Sequence, residues 1–292
     1  MTQPLMLDGK AAARAVRAEL AKRVAALEAH GTKPSLRILQ VGRDPASSIY
    51  VASKAKASAK TGIDARVEHL EENAAFPDIA SVISRWNQDS SVHGFIVQLP
   101  LPRGIDTQAV LSLVKPDKDV DGLSPASLGA LAAGRPGFTP ATPTGIIELL
   151  VRNGITIPGK RVVIVGRGEL VGRPLASMLL LRGERGDATV TVCHSRTRDL
   201  AAVCRTAEIL VVAAGRARLV TGEMVSGGVV AVDAGTNSID GKLVGDVDFG
   251  SVAPKASAIT PVPGGVGPMT VAMLLANTVR AAESASGLAG RD

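Results

Sequence analysis

Hydrophobic and polar positions alternate between helical and strand periodicity along almost the whole chain. Apolar residues recur at helical spacing after Asp8, and the run ends at Gly31. Glycine is the usual residue at the end of a helix, where the backbone adopts the left-handed conformation. The strand-like segment SLRILQVG follows, and helical and strand-like segments then alternate as far as HGFIVQLPLP. This βαβα order predicts a parallel sheet with helices on both faces.

A second alternation begins after AAGRPGFTPATPTG, whose glycines and prolines make it the best candidate for a domain boundary. GIIELLVRNG has helical spacing, and the strand-like segments beyond it are RVVIV, TVTVC, EILVV and GVVAV. A loop rich in glycine and proline, TPVPGGVGPMT, leads into a final apolar helix. The pattern therefore predicts a second α/β domain in the second half of the chain.

Composition limits the classes of ligand. The chain has 292 residues, of which 46 percent are hydrophobic, so it is long enough for two domains with their own cores. It contains four Phe, one Tyr and one Trp, which leaves few rings for stacking nucleic-acid bases. The net charge of +6 is spread along the chain. We therefore expect small anionic ligands and no nucleic acid.

Two further features indicate the compartment. Cys193 and Cys204 have neither the spacing of a metal site nor that of a disulfide framework, so no metal is predicted. No apolar segment approaches membrane-spanning length, and no charged and then apolar leader follows Met1. The sequence therefore predicts a cytoplasmic protein with reduced thiols and no membrane association.

A tyrosine and a lysine are candidates for catalysis. Tyr50 and Lys54 lie four residues apart in a predicted helix, so they share one face. YxxxK is also the catalytic pattern of short-chain dehydrogenases, in which the lysine lowers the pKa of the tyrosine. Considered alone, the pattern favours an exposed, charged helix face, because lysine is rarely buried. The short-chain dehydrogenase alternative conflicts with motif order, since there a glycine turn precedes YxxxK.

The segment RVVIVGRGELVGRP has the pattern of a dinucleotide site. A β-branched strand runs directly into Gly166, Gly168 and Gly172, and a helix is predicted at Pro174. Glycines at such a turn let backbone N–H groups approach a pyrophosphate at the helix N-terminus. The spacing GxGxxxG is one residue longer than the commonest fingerprint, and a turn without a ligand is the alternative.

Residues around the next strand indicate the cofactor. NAD sites usually carry an acidic residue at the end of that strand, where it holds the ribose hydroxyls. Here TVTVC is followed by Ser195 and Arg196, whereas Asp187 precedes the strand. A hydroxyl and a guanidinium suit a ribose 2′-phosphate, and Arg167 adds a second cation. NADP is therefore favoured over NAD.

Five segments, taken in order, resemble one family. They are YVASK, GFIVQLPLP, PDKDVDG, VGRGELVGRP and TPVPGGVGPMT. From its first helix to Asn277 the chain resembles the bifunctional methylenetetrahydrofolate dehydrogenase/methenyltetrahydrofolate cyclohydrolase family (the FolD family). The resemblance implies NADP-dependent oxidation of 5,10-methylenetetrahydrofolate to 5,10-methenyltetrahydrofolate, then hydrolysis to 10-formyltetrahydrofolate. It also implies tetrahydrofolate derivatives as substrates, a homodimer, and a place in one-carbon metabolism and purine biosynthesis.

The resemblance implies a catalytic set of Lys54, Tyr50, Gln98 and Asp121. Lys54 matches the lysine on which the cyclohydrolase depends, and Gln98 matches the residue that holds it. Asp121 matches the pterin-binding aspartate, because a carboxylate can accept two adjacent N–H groups of that ring. Tyr50 matches a residue that packs on the substrate. The other implied substrate-binding positions are Ser47, Leu99, Pro100, Pro263, Gly264 and Gly265.

For the cofactor, the implied positions are Gly166, Arg167, Gly168, Ser195, Arg196 and Thr236. Thr236 matches a position whose backbone contacts the nicotinamide end. Two residues depart from the family pattern. Ala141 replaces a cysteine that is not catalytic, and Gly168 replaces a serine near the phosphates, so that Arg167, Ser195 and Arg196 carry the NADP assignment.

The expected fold class is α/β, with two α/β domains flanking a cleft and the second a Rossmann-like dinucleotide-binding domain. The final helix, from near Thr270, is expected to return to the first domain. Residues 1–140 and 270–292 then form a folate-binding catalytic domain, and residues 141–269 form the NADP-binding domain. The alternatives are a regulatory module that has lost its chemistry and an enzyme with only one of the two activities.

Overall fold

The computed structural model describes residues 3–288, except for the side chain of Ala46. Residues 1–2 and 289–292, at the ends of the predicted first domain, lie outside this range. The strands are, in chain order, β1 (Leu5–Met6), β2 (Ser35–Val41), β3 (Asp64–Leu70), β4 (Gly94–Val97), β5 (Arg161–Val165), β6 (Thr189–Cys193), β7 (Ile209–Val212), β8 (Val229–Asp233), β9 (Asn237–Ile239), β10 (Lys242–Val244) and β11 (Ala256–Ile259). The helices are α1 (Gly9–Ala29), α2 (Pro45–Thr61), α3 (Phe76–Gln88), α4 (Thr107–Leu111), α5 (Pro125–Ala132), α6 (Ala141–Arg152), α7 (Gly172–Leu179), α8 (Leu200–Arg205), α9 (Phe249–Val252) and α10 (Val266–Ala285), and a 3-10 helix spans Gly222–Met224.

The chain divides into two compact units, each built on its own parallel sheet. The three-stranded unit comprises Arg14–Ala141 and the chain from Val271 onward, and the six-stranded unit comprises the chain up to Ala13 and Thr142–Thr270. The predicted α/β fold class is confirmed. The sequence boundaries placed every residue before 141 in the first domain. In the structure β1 pairs with β11 of the six-stranded unit, and a two-residue strand is too short for periodicity to identify.

The sheet of the three-stranded unit has the strand order β3-β2-β4. Strand β2 pairs in parallel on both sides, so that Leu39 lies beside Val97 of β4 and Glu68 of β3. Its core includes the ring of Trp86, which meets Phe95 edge-on with centroids 5.4 Å apart. Strand β4 ends at the sheet edge immediately before Gln98.

Helix α2, which carries Tyr50 and Lys54, has well-defined ends. The carboxylate of Asp44 accepts a hydrogen bond of 2.7 Å from the N–H of Ser47, and Pro45 occupies the first turn, where no helical partner for its nitrogen is needed. At the other end Gly62 adopts the left-handed conformation with a φ of 87°. These caps fix the helix on which the candidate pair is one turn apart.

The sheet of the six-stranded unit, as far as residues 3–288 describe it, has the order β1-β11-β8-β7-β5-β6 with parallel pairing throughout. Its buried core is rich in valine and contains the free cysteines Cys193 and Cys204. Three strands end in register, since Val165 pairs with Val212 and Val212 pairs with Asp233. The predicted Rossmann-like domain is confirmed, and its ligand edge is the one at which these strands end.

Two helices begin earlier than their sequence pattern indicates. Helix α6 begins at Ala141 rather than near Gly145, and α10 begins at Val266 rather than near Thr270. Both first turns contain a proline, which the first turn of a helix accepts. Helices α4 and α5 lie between HGFIVQLPLP and AAGRPGFTPATPTG, a stretch to which the sequence pattern assigns no helix or strand. Of the helices in the described range, none is both long and apolar enough to cross a bilayer.

Candidate active site and dinucleotide site

Lys54 contacts the end of β4 within the three-stranded unit. Its Nζ donates a hydrogen bond of 3.0 Å to Oε1 of Gln98. The Gln98 amide is itself oriented, because its Nε2 donates to the carbonyl of Leu99 at 2.7 Å. Lys56, two residues further along α2, is exposed. The structure therefore brings together Lys54 and Gln98, the lysine and glutamine that the resemblance selects.

Asp121 interacts with Lys54 through charge, and burial shifts the pKa of both groups. By surface area both residues are half-buried, yet each side chain is closely surrounded by protein atoms. Burial lowers the pKa of Lys54 from its usual 10.5, and the negative charge of Asp121 opposes that shift. Burial also raises the pKa of Asp121, which Lys54 opposes and Asp119 reinforces. Both groups therefore give up their charge more readily than in water.

A buried carboxylate fixes the loop that follows β4 and carries Asp121. Asp119 is 3 percent exposed, and its oxygens accept hydrogen bonds from three backbone N–H groups. Those donors belong to Gly122, Leu123 and Ser124. Asp119 therefore has a structural role, whereas Asp121 remains available to a ligand.

The same loop is held from its other side by α10. Nδ2 of Asn277 donates to the carbonyls of Val120 at 2.9 Å and of Thr139 at 3.1 Å. The sequence prediction did not single out Asn277. The sequence feature that could have identified Asn277 is its amide within the apolar run VAMLLANTVRAA, because a buried amide requires hydrogen-bond partners. Asn277 thus determines where the residue before Asp121 lies.

The other predicted substrate residues of this unit differ in exposure. Ser47 is 6 percent exposed and Tyr50 is 40 percent exposed, and they lie in the first two turns of α2. Leu99 is half-buried and Pro100 is exposed, and a cis peptide bond joins them directly after Gln98. The exposed ring of Tyr50 is accessible to a planar ligand.

The glycine turn between β5 and α7 is closed to side chains at two of its three glycines. Gly166 has a φ of 124°, and a Cβ there would overlap the carbonyl of Ala213. A Cβ at Gly172 would overlap the carbonyl of Gly166. At Gly168 a Cβ would meet no atom within 4 Å. The turn has the close backbone packing of a pyrophosphate cradle at a helix N-terminus, which fits a dinucleotide.

The loop after β6 begins beside this turn. The N–H of Gly166 donates to the carbonyl of Cys193 at 2.9 Å, and Ser195 and Arg196 follow as exposed residues. Arg167 is exposed on the turn itself. Asp187 lies before β6, where it accepts the N–H of Gly183, and so it belongs to the opposite end of the strand.

The loop that contains Pro263, Gly264 and Gly265 also belongs to the six-stranded unit. The carbonyl of Gly264 accepts a hydrogen bond of 3.1 Å from the N–H of Lys10. A Cβ at Gly9 would overlap the carbonyl of Gly265, so the start of α1 lies directly against this loop. Thr236 is exposed in the loop that follows β8. The predicted residues therefore fall into two groups, one in each unit.

The parallel sheet with its glycine cradle, and a separate site with a half-buried lysine, define a dinucleotide-dependent α/β enzyme. The chain belongs to the tetrahydrofolate dehydrogenase/cyclohydrolase family. Its catalytic-domain model matches residues 7–121, and its NAD(P)-binding-domain model matches residues 140–286.

Relatives match over nearly the full chain. A protein of Desulfovibrio desulfuricans named bifunctional protein FolD is 50% identical over 277 residues, which are 94% of this chain and 97% of the relative. The crystal structure of the Campylobacter jejuni bifunctional enzyme superposes with a TM-score of 0.92 at 47% identity, covering 96% of this chain and 98% of that one. The Trypanosoma brucei enzyme, solved with NADP cofactor and an inhibitor, has a TM-score of 0.91 at 40% identity, covering 97% and 99%.

Proposed function

We propose that the chain oxidises 5,10-methylenetetrahydrofolate with NADP+ and hydrolyses the resulting 5,10-methenyl cation to 10-formyltetrahydrofolate. Family membership supports both reactions. One observation carries the assignment of residues, which is the half-buried Lys54 held 3.0 Å from Gln98 beside Asp121. The product would serve as a formyl donor, which is consistent with a role in purine biosynthesis.

Asp121 binds the pterin in this proposal. A carboxylate presents two acceptors side by side, and the pterin offers a ring N–H and an amine in the same arrangement. Tyr50 packs its exposed ring on the substrate, and Ser47, Leu99 and Pro100 complete the contacts. The proximity of Lys54 to Asp121 then places the amine near the end of the folate that carries the one-carbon unit.

Lys54 transfers protons during hydrolysis. Water adds to the methenyl carbon, and the neutral amine of Lys54 accepts a proton from it. The bond between that carbon and N5 then breaks, N5 takes the proton from Lys54, and the remaining hydroxyl proton leaves to solvent as the formyl group forms. A lowered pKa makes the neutral amine available, and Gln98 orients it.

The six-stranded unit binds the cofactor in this proposal. Gly166, Arg167 and Gly168 hold the phosphates, Ser195 and Arg196 hold the ribose 2′-phosphate, and Thr236 contacts the nicotinamide end. When bound, NADP+ supplies the hydride acceptor. Because the methenyl cation is stabilised by resonance, the oxidation needs alignment more than acid or base catalysis. The loop of Pro263, Gly264 and Gly265 contributes to that alignment.

We further propose a cytoplasmic homodimer. Strand β6 lies at the edge of the six-stranded sheet and exposes Val192, and Leu180 and Leu181 just before it are also exposed. An unpaired edge with apolar side chains is suited to pairing with a second copy. The free thiols fit a reducing compartment. Light scattering should give twice the chain mass of 29.9 kDa, and a single-chain mass would refute the dimer.

Exchange of Lys54 tests the catalytic assignment, with Lys56 as the matched control. Lys54→Met should reduce methenyl hydrolysis about a hundredfold or more, the usual range for a lost proton-transfer group, while oxidation of methylenetetrahydrofolate persists. Lys56→Met removes the same charge from an exposed position of α2 and should leave both rates near wild type. Survival of hydrolysis in Lys54→Met would exclude the role proposed for Lys54.

A further inference from the structure

Two buried aspartates lie at the ligand edge of the six-stranded sheet, and the proposed reactions do not use them. Asp233 is 4 percent exposed and ends β8, while Asp246 is fully buried in the segment after β10. Burial of a carboxylate is costly unless strong hydrogen bonds compensate for the lost water. The donors that face these two groups therefore indicate what they do.

Asp246 binds two different loops at once. Its Oδ2 accepts hydrogen bonds from the backbone N–H groups of Ala214 at 2.6 Å and Gly215 at 2.8 Å. Its Oδ1 accepts a hydrogen bond of 2.8 Å from Nδ2 of Asn237. One carboxylate thus joins the loop after β7 to the start of β9.

Asp233 completes the arrangement. Its Oδ1 accepts the N–H groups of Gly235 at 2.8 Å and Asp246 at 2.9 Å, and its Oδ2 accepts the N–H of Val247 at 2.8 Å. A Cβ at Gly235 would overlap the carboxylate of Asp246, and a Cβ at Gly245 would overlap that of Asp233. The backbone therefore approaches both carboxylates as closely as glycine allows.

The two loops held in this way are those nearest the cofactor positions. Ala213 donates its N–H to Val165 at 2.8 Å, and its carbonyl faces the Cα of Gly166 in the glycine turn. Thr236 lies between Gly235, which Asp233 holds, and Asn237, which Asp246 holds. Both neighbours of the proposed nicotinamide contact are therefore tied to a buried carboxylate.

The orientation of the peptide groups determines what the first loop offers a ligand. In a planar trans peptide the N–H and C=O point in opposite directions. Because the N–H groups of Ala214 and Gly215 point at Asp246, the carbonyls of Ala213 and Ala214 point away from it. The carbonyl of Ala213 packs against Gly166 of the glycine turn, so the carbonyl of Ala214 is the acceptor that this loop offers a ligand. An acceptor suits a hydroxyl of the ribose or the amide N–H of nicotinamide rather than a phosphate.

We propose that Asp246 is a positioning residue that, with Asp233, holds the Ala213–Gly215 loop and Thr236 in the conformation that receives the nicotinamide-ribose half of NADP. The proposal rests on the cofactor site described under the proposed function. It separates the cofactor into a phosphate end, bound at the glycine turn, and an end rich in hydrogen-bond donors, bound by loops that Asp246 orients.

Asp246→Asn tests the proposal with little change in shape. Two backbone donors face one oxygen of Asp246, and the Nδ2 of Asn237, which also donates to the carbonyl of Val244 at 3.3 Å, faces the other. The new NH2 group therefore either opposes the two backbone donors or forces the Asn237 amide to turn its oxygen toward that carbonyl. The variant should bind NADP+ about tenfold or more weakly, the range expected for a lost charged hydrogen bond. It should bind adenosine 2′,5′-bisphosphate, which lacks the nicotinamide half, as well as the wild type does.

Asp248→Asn is the matched control. It makes the same chemical change two residues away, at the residue that precedes α9. The carboxylate of Asp248 accepts a hydrogen bond from the hydroxyl of Ser251. Binding of both nucleotides should stay at the wild-type level in this variant. Methenyl hydrolysis, measured in all variants, reports whether the rest of the protein remains intact.

The outcomes separate the two proposals. Selective loss of NADP+ binding supports positioning by Asp246, whereas equal loss of both nucleotides, or no loss, overturns it. If Asp246→Asn does not fold, Asn237→Ala decides, because it leaves the Asp246 carboxylate in place and removes the amide that joins it to the segment beside Thr236. It should show the same selectivity to a smaller extent. Failure of the wild type to bind NADP+ would instead refute the proposed cofactor.

Discussion

The pKa values of Lys54 and Asp121 depend on the immediate surroundings of each side chain. Burial disfavours the charge on each, and each partly restores the charge of the other. The sequence predicted that Tyr50 and Lys54 share a helix face, because that follows from spacing alone. Gln98 is 44 residues from Lys54, and its contact depends on how α2 packs on the three-stranded sheet. Spacing carries no information about that contact, and the family resemblance was needed to select Gln98.

The pH dependence of hydrolysis should report the pKa of Lys54. The neutral amine is the proposed proton acceptor, so kcat should rise with pH through an apparent pKa below 10.5 and then level off. Asp121→Asn removes a charge that raises this pKa, so the rising limb should move to lower pH. Profiles of kcat at saturating folate measure both, since Asp121 also binds substrate. A limb that stays in place or moves to higher pH in Asp121→Asn would contradict the charge coupling.

The glycine turn allows a paired test at single positions. Gly166→Ala forces a Cβ into the carbonyl of Ala213 at a φ of 124°, so NADP+ affinity should fall about tenfold or more as the turn distorts. Gly168→Ser enters open space and restores the hydroxyl that the family usually carries, so NADP+ affinity should hold or increase. Isothermal titration measures both variants. Unchanged affinity in Gly166→Ala would show that the turn does not contact the cofactor, and an equal loss in Gly168→Ser would contradict the open space assigned to that position.

At the scale of elements, the long periodic segments were predicted and the short ones were not. Helix α3 and strands β2 and β5 follow their sequence patterns closely, because one face or both faces of each are buried. Strand β6 also follows its pattern, although Cys193 is its only buried residue. Strand β1 has two residues and the hairpin strands β9 and β10 have three each, which is too few for a period to emerge. Helices α4 and α5 begin after Asp106 and Ser124, whose side chains cap them. The sequence did not predict these two short helices, because the segments around them are polar.

The contact between α10 and the Asp121 loop gives a prediction at this scale. Asn277→Ala removes one hydrogen-bond donor from the carbonyls of Val120 and Thr139, which should cost about 1–3 kcal/mol of stability. Displacement of the loop should also raise the KM for methylenetetrahydrofolate. Thermal unfolding and steady-state kinetics measure the two effects. Asn153→Ala, which loses a bond to a carbonyl within α6, is the control and should leave that KM unchanged.

For the whole molecule, the sequence predicted two α/β bodies but not where the N-terminal strand pairs. Pairing of β1 with β11 joins segments more than two hundred residues apart, and no local pattern encodes such a partner. The proposed hydrolytic residues lie in the three-stranded unit, and the proposed cofactor residues lie in the six-stranded unit.

This division predicts that the two reactions can be lost separately. Gly166→Ala should lose NADP-dependent oxidation and retain hydrolysis of added methenyltetrahydrofolate, while Lys54→Met should show the reverse. Both rates can be followed through methenyl absorbance in the same cuvette. Loss of both reactions in both variants, with the fold intact by circular dichroism, would contradict the separation.

The most direct test of the central claim is a single assay of the wild-type protein. Methylenetetrahydrofolate is mixed with NADP+ or, in parallel, with NAD+, and methenyl absorbance is followed in time. We predict that absorbance rises with NADP+, more slowly with NAD+, and then decays as 10-formyltetrahydrofolate accumulates. No methenyl signal with either nucleotide, together with no hydrolysis of added methenyltetrahydrofolate, would contradict the account.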